Sequence, residues 1–175
     1  MNRCNEGASA GRPGVAQGCE VIFILCATLY PMKILFVCTG NVCRSPMAEV
    51  IFENMVRAAG RRDITVRSAG VFTMNGMPMT DNAREALTRC NEKLGRRVRK
   101  SSRITSKMIS TYDHIITMTQ AHADRIGQHH NVWSLDSATG CGDIPDPFMQ
   151  DIDVYVATCR TLQEACRVLF DKIVR

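Results

Sequence analysis

The sequence predicts a three-layer α/β/α fold built on a four-stranded parallel sheet. From residue 33 onward, short apolar runs alternate with segments whose apolar residues recur at helical spacing. Strands separated by helices pair in parallel through right-handed crossovers. The 175 residues, 45% of them hydrophobic, are enough for one domain with a full core. Ligands of such sheets bind beyond the carboxyl ends of the strands, where we expect the function to lie.

Four short segments are expected to be strands. They are 34–37, 64–69, 114–118 and 132–135. The first is Ile34-Leu35-Phe36-Val37, and an uninterrupted run of this kind is typical of a strand covered on both faces. The second is closed by Gly70, and a loop with two glycines and two prolines, 136–148, follows the fourth.

Five segments are expected to be helices because their apolar residues repeat every three or four positions. They are 46–59, 81–93, 105–111, 119–128 and 151–173. Pro46 suits the first position of its helix and Gly60 suits the end. Thr119 is a preferred capping residue. Residues 1–31 lack this periodicity, and we expect a poorly structured extension before a domain that spans 32–175.

The segment from Cys38 to Ser45 lies between the first strand and the first helix, and it carries most of the functional signal. A strand, a short loop and a helix N-terminus form an anion cradle, because backbone N–H groups and the helix dipole favour negative charge. A thiolate at Cys38 would be stabilised by the same donors. Arg44 can grip two phosphate oxygens. Taken alone, Cys38 would be interpreted as a buried core residue and Arg44 as a solvated one. Together they indicate a nucleophile that attacks phosphorus.

A thiolate that displaces an alcohol or phenol from phosphorus needs a proton donor for the leaving group. The acidic loop before the last helix offers Asp143 and Asp146. Asp146 is the better candidate, because Pro147 restricts its backbone and Phe148 supplies an aromatic wall. The alternative is a simple turn, for which Asp-Pro is common.

Residues 32–175 resemble the low-molecular-weight protein-tyrosine-phosphatase family. The resemblance is carried by Val37 to Glu49, by Ser68-Ala69-Gly70 and by Asp146-Pro147-Phe148, in that order along the chain. It implies a four-stranded parallel sheet, no metal or other cofactor, and a phosphocysteine intermediate. By that match Cys38 is the nucleophile, Arg44 binds the phosphoryl group and Asp146 is the general acid.

The resemblance also implies roles for the remaining residues of the site. The residues expected to bind substrate or shape the loop are Thr39, Gly40, Asn41, Val42, Cys43, Ser45, Phe72 and Phe148. Ser45 would donate to the Cys38 thiolate, and Ser68 would help to tether Asn41. A histidine that completes this tether in some members is absent, and Arg99 or Lys100 falls nearby. Cys43 would trap the nucleophile in a reversible disulfide.

The substrate can be phosphotyrosine or phosphoarginine, since the family has a branch for each. The residue before the second cysteine is commonly isoleucine in tyrosine enzymes and threonine in arginine enzymes, and here it is Val42. Thr39 and Phe148 resemble the arginine branch. The absent threonine hydroxyl counts against phosphoarginine, because a lost buried hydrogen bond matters more than a methyl group. The sequence therefore favours phosphotyrosine, with a protein-arginine-phosphatase as the alternative.

Two other functions are weaker alternatives. A thioredoxin-coupled arsenate reductase would need two further cysteines; Cys90 could be one, but no second cysteine lies near it in the sequence. The reductases also usually have glutamine where this chain has Pro46. A non-catalytic phosphoprotein-binding module has no support, since Cys38, Arg44 and Asp146 are all present.

Charge and cysteine content bear on partners and location. Residues 84–103 contain eight Lys or Arg but no aromatic residue, unlike a nucleic-acid-binding face, so we expect phosphorylated proteins as partners. The apolar run 21–30 is too short to span a membrane.

Nine scattered cysteines suit a reducing compartment, which predicts a cytoplasmic protein. The histidines show no spacing that joins them to the site.

Overall fold

The computed structural model describes residues 31–175. The expected N-terminal extension, residues 1–31, lies outside this range except for its last residue. Within the described part, no helix is both long enough and apolar enough to cross a membrane.

Four strands form one parallel sheet, as the sequence predicts. They are β1 (Met32–Cys38), β2 (Ile64–Gly70), β3 (His114–Thr117) and β4 (Val132–Ser134). The order across the sheet is β2-β1-β3-β4, and every neighbouring pair is parallel. β1 is therefore an inner strand, and its carboxyl end lies between those of β2 and β3.

Residues 31–175 contain six helices, and the last two of them follow the final strand. They are α1 (Arg44–Ala58), α2 (Asp81–Arg89), α3 (Ser106–Thr111), α4 (Gln120–Ile126), α5 (Leu135–Thr139) and α6 (Ile152–Ile173). In five of them the side chain of the preceding Thr, Ser or Asp accepts a backbone N–H of the first turn. α1 is the exception: Cys43 precedes it and makes no such bond.

Helices cover both faces of the sheet, because alternate residues of β1 point to opposite sides. Ile34 and Phe36 belong to the core that includes residues of α1, α2, α5 and α6. Leu35 and Val37 belong to a smaller core, on which α3 and Ile126 of α4 pack. The predicted three-layer α/β/α architecture is confirmed.

The clearest differences from the sequence prediction lie after β4 and at the end of α2. The fourth strand ends at Ser134, and α5 begins at Leu135, the expected last residue of that strand, and continues into the segment expected to be a loop. The Ser134 side chain caps α5, which ends after only five residues at Gly140 in the left-handed conformation. The second helix ends at Arg89 rather than near residue 93, since Asn91 has a φ of 59°.

Candidate active site

The thiol of Cys38 lies at the carboxyl end of β1 under the loop that leads to α1. Its Sγ is 3.1 Å from Oγ of Ser45 and accepts the backbone N–H of Asn41 at 3.3 Å. α1 begins at Arg44, and its first turn carries no acidic residue. Backbone donors and the positive end of a helix therefore surround a sulfur atom that is almost fully buried.

The guanidinium of Arg44 is held between the loop and the segment before α6. Its Nη1 donates to the carbonyl of Ile144 at 3.0 Å, and its Nη2 donates to Oδ2 of Asp146 at 2.6 Å. The Arg44 side chain is 5% exposed and that of Asp146 is 49% exposed. This ion pair joins two predicted site residues that are 102 positions apart in the chain.

One cavity of about 180 Å³ collects the three residues expected to carry the chemistry. It is lined by Cys38, Thr39, Gly40, Val42, Cys43, Arg44, Asp146 and Phe148. The side chains of Asn41 and Ser45 are buried, and these two residues do not line the cavity. Within residues 31–175, the cavity included, no three His, Cys, Asp or Glu side chains gather as metal ligands would.

Asn41 fixes the shape of the loop. Its φ of 54° is a left-handed conformation, which Asn tolerates better than most residues. Its Nδ2 donates to Oγ of Ser45 and to Oγ of Ser68, both at 2.9 Å, and its Oδ1 accepts the backbone N–H of Ser102 at 2.8 Å. The amide thus ties the loop to β2 and to the segment after residue 100.

A buried ion-pair cluster continues this tether. Oγ of Ser68 donates to Oε2 of Glu49 at 2.5 Å, and Nε of Arg99 lies 3.3 Å from Oε1 of the same carboxylate. Arg99 also pairs with Glu53. Of the two basic residues expected near the missing histidine, Arg99 makes the contact. Burial lowers the pKa of Arg99, and the nearby Glu53 carboxylate opposes that shift.

Gly70 allows β2 to lie against the loop. A Cβ placed there would lie 2.5 Å from the carbonyl oxygen of Thr39 and 3.1 Å from the backbone nitrogen of Asn41. At Gly40 a Cβ would meet its nearest neighbour, Val42, at an ordinary 3.6 Å. At this site a side chain is therefore sterically excluded at Gly70, at the end of β2, but not at Gly40 in the loop.

The two predicted aromatic walls have different positions. Phe148 lines the cavity above Cys38. Phe72 does not line it; it is 66% exposed and borders a neighbouring open hollow, with Thr39, His122 and Arg125. Phe72 turns aside because β2 ends at Gly70 and the chain bends back over the loop, with the N–H of Phe72 on the Thr39 carbonyl.

The sequence prediction missed His122, which contacts the loop. Its Nε2 is 2.8 Å from Oγ1 of Thr39, and its Nδ1 is 2.7 Å from Oγ1 of Thr119. The expectation that histidines stand apart from the site is wrong, since it used spacing along the chain alone. The available signal was that Thr119 caps the helix after β3, which places His122 at the carboxyl edge of the sheet.

Tyr155 is a second residue whose contact was missed, because it fits the apolar stripe of α6. Its Oη is 3.3 Å from Sγ of Cys43, and Oγ1 of Thr80 is 3.5 Å from the same sulfur. Burial raises the pKa of the Cys43 thiol, although these two hydrogen bonds oppose the shift. Burial also raises the pKa of Tyr155 to about 12.

Cys90 has no cysteine near it in the sequence, but it has one near it in the folded structure, so the expectation was wrong. Cys159, on α6, lies near Cys90, just beyond the end of α2: burial first, and then the neighbouring Cys90, raises the pKa of the Cys159 thiol. The six cysteines of residues 31–175 are all free thiols. The case against an arsenate reductase therefore rests on Pro46 and on the comparisons with known proteins.

A cysteine and an arginine under a loop that joins a central parallel strand to a helix define a class of cysteine-dependent phosphatases. The profile of the low molecular weight phosphotyrosine protein phosphatase family matches residues 33–175. The chain belongs to this family, and it is a hydrolase of the cysteine-dependent phosphatase type.

Similar proteins of known name support the family assignment. The chain is 39% identical over 145 residues to a protein-arginine-phosphatase of Bacillus subtilis, a match that covers 79% of this chain and 94% of the relative. It is 34% identical over 149 residues to the low molecular weight protein-tyrosine-phosphatase PtpB of Staphylococcus epidermidis, covering 81% and 96%. The structure is similar to YwlE arginine phosphatase, in a cysteine-to-serine mutant with a phosphorylated active-site serine. That match has a TM-score of 0.75, 36% identity, and covers 82% of this chain and 97% of the other.

Proposed function

We propose that this phosphatase hydrolyses phosphotyrosine on proteins, with Cys38 as nucleophile, Arg44 as phosphate ligand and Asp146 as general acid. One observation carries the assignment of these roles: the thiol, the guanidinium and the carboxylate line the same cavity of about 180 Å³. The phosphorylated active-site serine of the YwlE mutant is consistent with a covalent intermediate at the corresponding site.

The first step forms a bond between sulfur and phosphorus. The Cys38 thiolate attacks the phosphoryl group while the bond from phosphorus to the tyrosine oxygen breaks. Arg44 and the loop N–H groups hold the equatorial oxygens, where negative charge develops. Asp146 donates its proton to the leaving phenolate oxygen, so tyrosine departs neutral.

The second step releases phosphate. A water molecule attacks phosphorus as Asp146, now a carboxylate, takes its proton. The bond between sulfur and phosphorus breaks, and Cys38 returns as a thiolate. Asp146 is half exposed at the mouth of the cavity, a position open both to a leaving group and to water.

The ion pair between Arg44 and Asp146 must open when substrate binds. The phosphoryl oxygens need the same Nη2 that donates to Asp146. A dianionic phosphoryl group competes strongly for a planar, permanently charged guanidinium. Binding therefore frees the carboxylate of Asp146, which takes up a proton from solvent before it protonates the leaving group.

The choice of phosphotyrosine follows from the cavity walls. Val42 and Phe148 present apolar surface, which suits a phenyl ring. A guanidinium substrate brings several N–H donors, and each needs an acceptor or costs desolvation free energy. Among the charged lining residues, Asp146 is the carboxylate that could accept them, and it also has to serve the leaving group.

Phosphoarginine is a second candidate, favoured by the relative from Bacillus subtilis, which is a protein-arginine-phosphatase. A side-by-side measurement of kcat/KM on peptides that carry phosphotyrosine or phosphoarginine decides between them. We expect a higher value for phosphotyrosine. Val42→Thr should move the ratio toward phosphoarginine by about tenfold, the worth of one good hydrogen bond. The matched variant Val42→Ile should keep the tyrosine preference. A wild-type preference for phosphoarginine would overturn the choice.

Phosphorylated cytoplasmic proteins are the proposed partners, with no role for nucleic acid, membrane or metal. The free thiols of the described residues support the cytoplasmic location, and the lack of aromatic residues in 84–103 argues against nucleic acid as a partner. Hydrolysis of para-nitrophenyl phosphate should therefore continue in excess chelator. Loss of activity that added Mg²⁺ or Zn²⁺ restores would count against metal independence.

A further inference from the structure

A chain of hydrogen bonds joins Arg44 to the start of α4. Nη2 of Arg44 donates to Oγ1 of Thr39 over 3.4 Å, and this hydroxyl is 2.8 Å from Nε2 of His122. We propose that His122 is a positioning residue: it holds the Thr39 hydroxyl and, through it, the phosphate-binding guanidinium. The inference rests on the proposed role of Arg44.

The donors and acceptors of this chain run in one direction. A guanidinium only donates, so Thr39 accepts from Arg44. The Thr39 hydroxyl hydrogen then reaches Nε2 of His122, if the ring proton lies on Nδ1. That proton in turn reaches Oγ1 of Thr119, which is 2.7 Å away. In this assignment both ring nitrogens are satisfied, as burial requires.

The ring of His122 is a firm support. The residue is 8% exposed and lies in the first turn of α4, the helix that Thr119 caps. At the other end of the chain, Nη1 of Arg44 is fixed on the carbonyl of Ile144. Thr39 thus steadies the remaining arm of the guanidinium, the arm that must turn from Asp146 to a phosphoryl oxygen.

The ring works in this way while it is neutral. Burial lowers the pKa of His122, and the charge of Arg44 lowers it further, whereas Asp146 and Asp143 oppose the shift. Arg125, on the same helix, borders the adjoining hollow. Protonation turns Nε2 into a donor, so it can no longer accept from Thr39, and it places a second positive charge beside Arg44.

Two substitutions at His122 separate positioning from bulk stability. In His122→Gln the side-chain amide extends about as far as Nε2 and can still bond Thr39, whereas in His122→Asn it extends only as far as Nδ1. The probe is inorganic phosphate as a competitive inhibitor, with its inhibition constant measured at neutral pH and Tm recorded. We expect His122→Asn to weaken phosphate inhibition about three- to tenfold, and His122→Gln to stay near wild type. The exposed His130→Gln is the matched control.

A double-mutant cycle and a pH series complete the test. Thr39→Val should weaken phosphate inhibition as His122→Asn does, and the two changes should not add, because they break one chain. As the pH falls, the wild-type protein should lose phosphate affinity relative to His122→Gln. Of the two side chains at position 122, only the imidazole can take up a proton. The proposal is overturned if the Asn and Gln variants are equal, or if the two losses add. Cys38→Ser tests the nucleophile separately: its activity would be lost even where this proposal fails.

Discussion

Cys38 and Cys166 are both buried thiols, but their surroundings differ. Cys166 lies on α6 within the apolar core, where burial raises its pKa strongly. Cys38 lies at the sheet edge, where Ser45, the N–H of Asn41 and the start of α1 offer donors to the sulfur. A thiol buried in an apolar core is inert, whereas a buried sulfur that receives hydrogen bonds beside a helix N-terminus is placed to act as a nucleophile. The comparison explains why one of six described cysteines is proposed as the nucleophile.

The largest expected effect separates these two thiols. Cys38→Ser should reduce hydrolysis of para-nitrophenyl phosphate to background, because the hydroxyl is a far weaker nucleophile. Cys166→Ala should keep kcat within about twofold and lower Tm slightly through a small cavity. Steady-state kinetics and thermal melts of both variants check this. A strong loss of kcat in a folded Cys166→Ala protein would break the distinction.

The next largest effect is expected at Asp146, the proposed proton donor. Asp146→Asn should lower kcat on phosphotyrosine by about 10²–10⁴-fold, the usual scale of general acid–base help. With an aryl phosphate whose phenol is strongly acidic, the loss should shrink, since that leaving group needs little protonation. An equal loss on both substrates would show that Asp146 does not protonate the leaving group.

Cys43 extends the comparison: it is buried in the same loop, but its sulfur contacts the hydroxyls of Tyr155 and Thr80, whereas that of Cys38 also accepts a backbone N–H. We expect peroxide to oxidise Cys38 first and Cys43 then to close a reversible disulfide with it. Wild type should recover after treatment with a thiol reductant, whereas Cys43→Ser should stay inactive after the same exposure. Full recovery of Cys43→Ser would show that Cys43 gives no protection.

The smallest expected effect is on stability. Burial lowers the pKa of His114 and of His122. Below the ordinary histidine pKa of about 6.5, the unfolded chain therefore binds more protons than the folded chain, and stability falls as the pH falls. Thermal melts should give a lower Tm at about pH 5.5 than at about pH 7.5. His114→Gln should reduce this difference, and an unchanged difference would show that His114 does not contribute.

Much of the fold could be predicted because its two inner strands, β1 and β3, contain short runs of buried apolar residues. The expected positions of β1 and β3 agree with the structure to within two residues. The loop at Cys38 was equally visible, since its residues are contiguous. α5 was not visible, because a five-residue helix has no periodicity, and its cap at Ser134 looked like the end of a strand.

The rest of the site depends on contacts between distant parts of the chain. His122 reaches Thr39 across 83 positions, and Arg99 reaches the loop only through Glu49 and Ser68. Phe72 was expected at the cavity from the family resemblance, but the turn after Gly70 directs it elsewhere. No local pattern encodes such contacts, since they arise from how the sheet brings its carboxyl ends together.

Rapid quenching of the reaction with a phosphotyrosine peptide, followed by mass spectrometry of the protein, tests the central claim most directly. The account predicts that phosphate is trapped on Cys38. With an aryl phosphate whose phenol is strongly acidic, Asp146→Asn should trap more of it, because only the release step then needs Asp146. Phosphate bound to any other residue, or turnover without a phosphorylated protein, would contradict it.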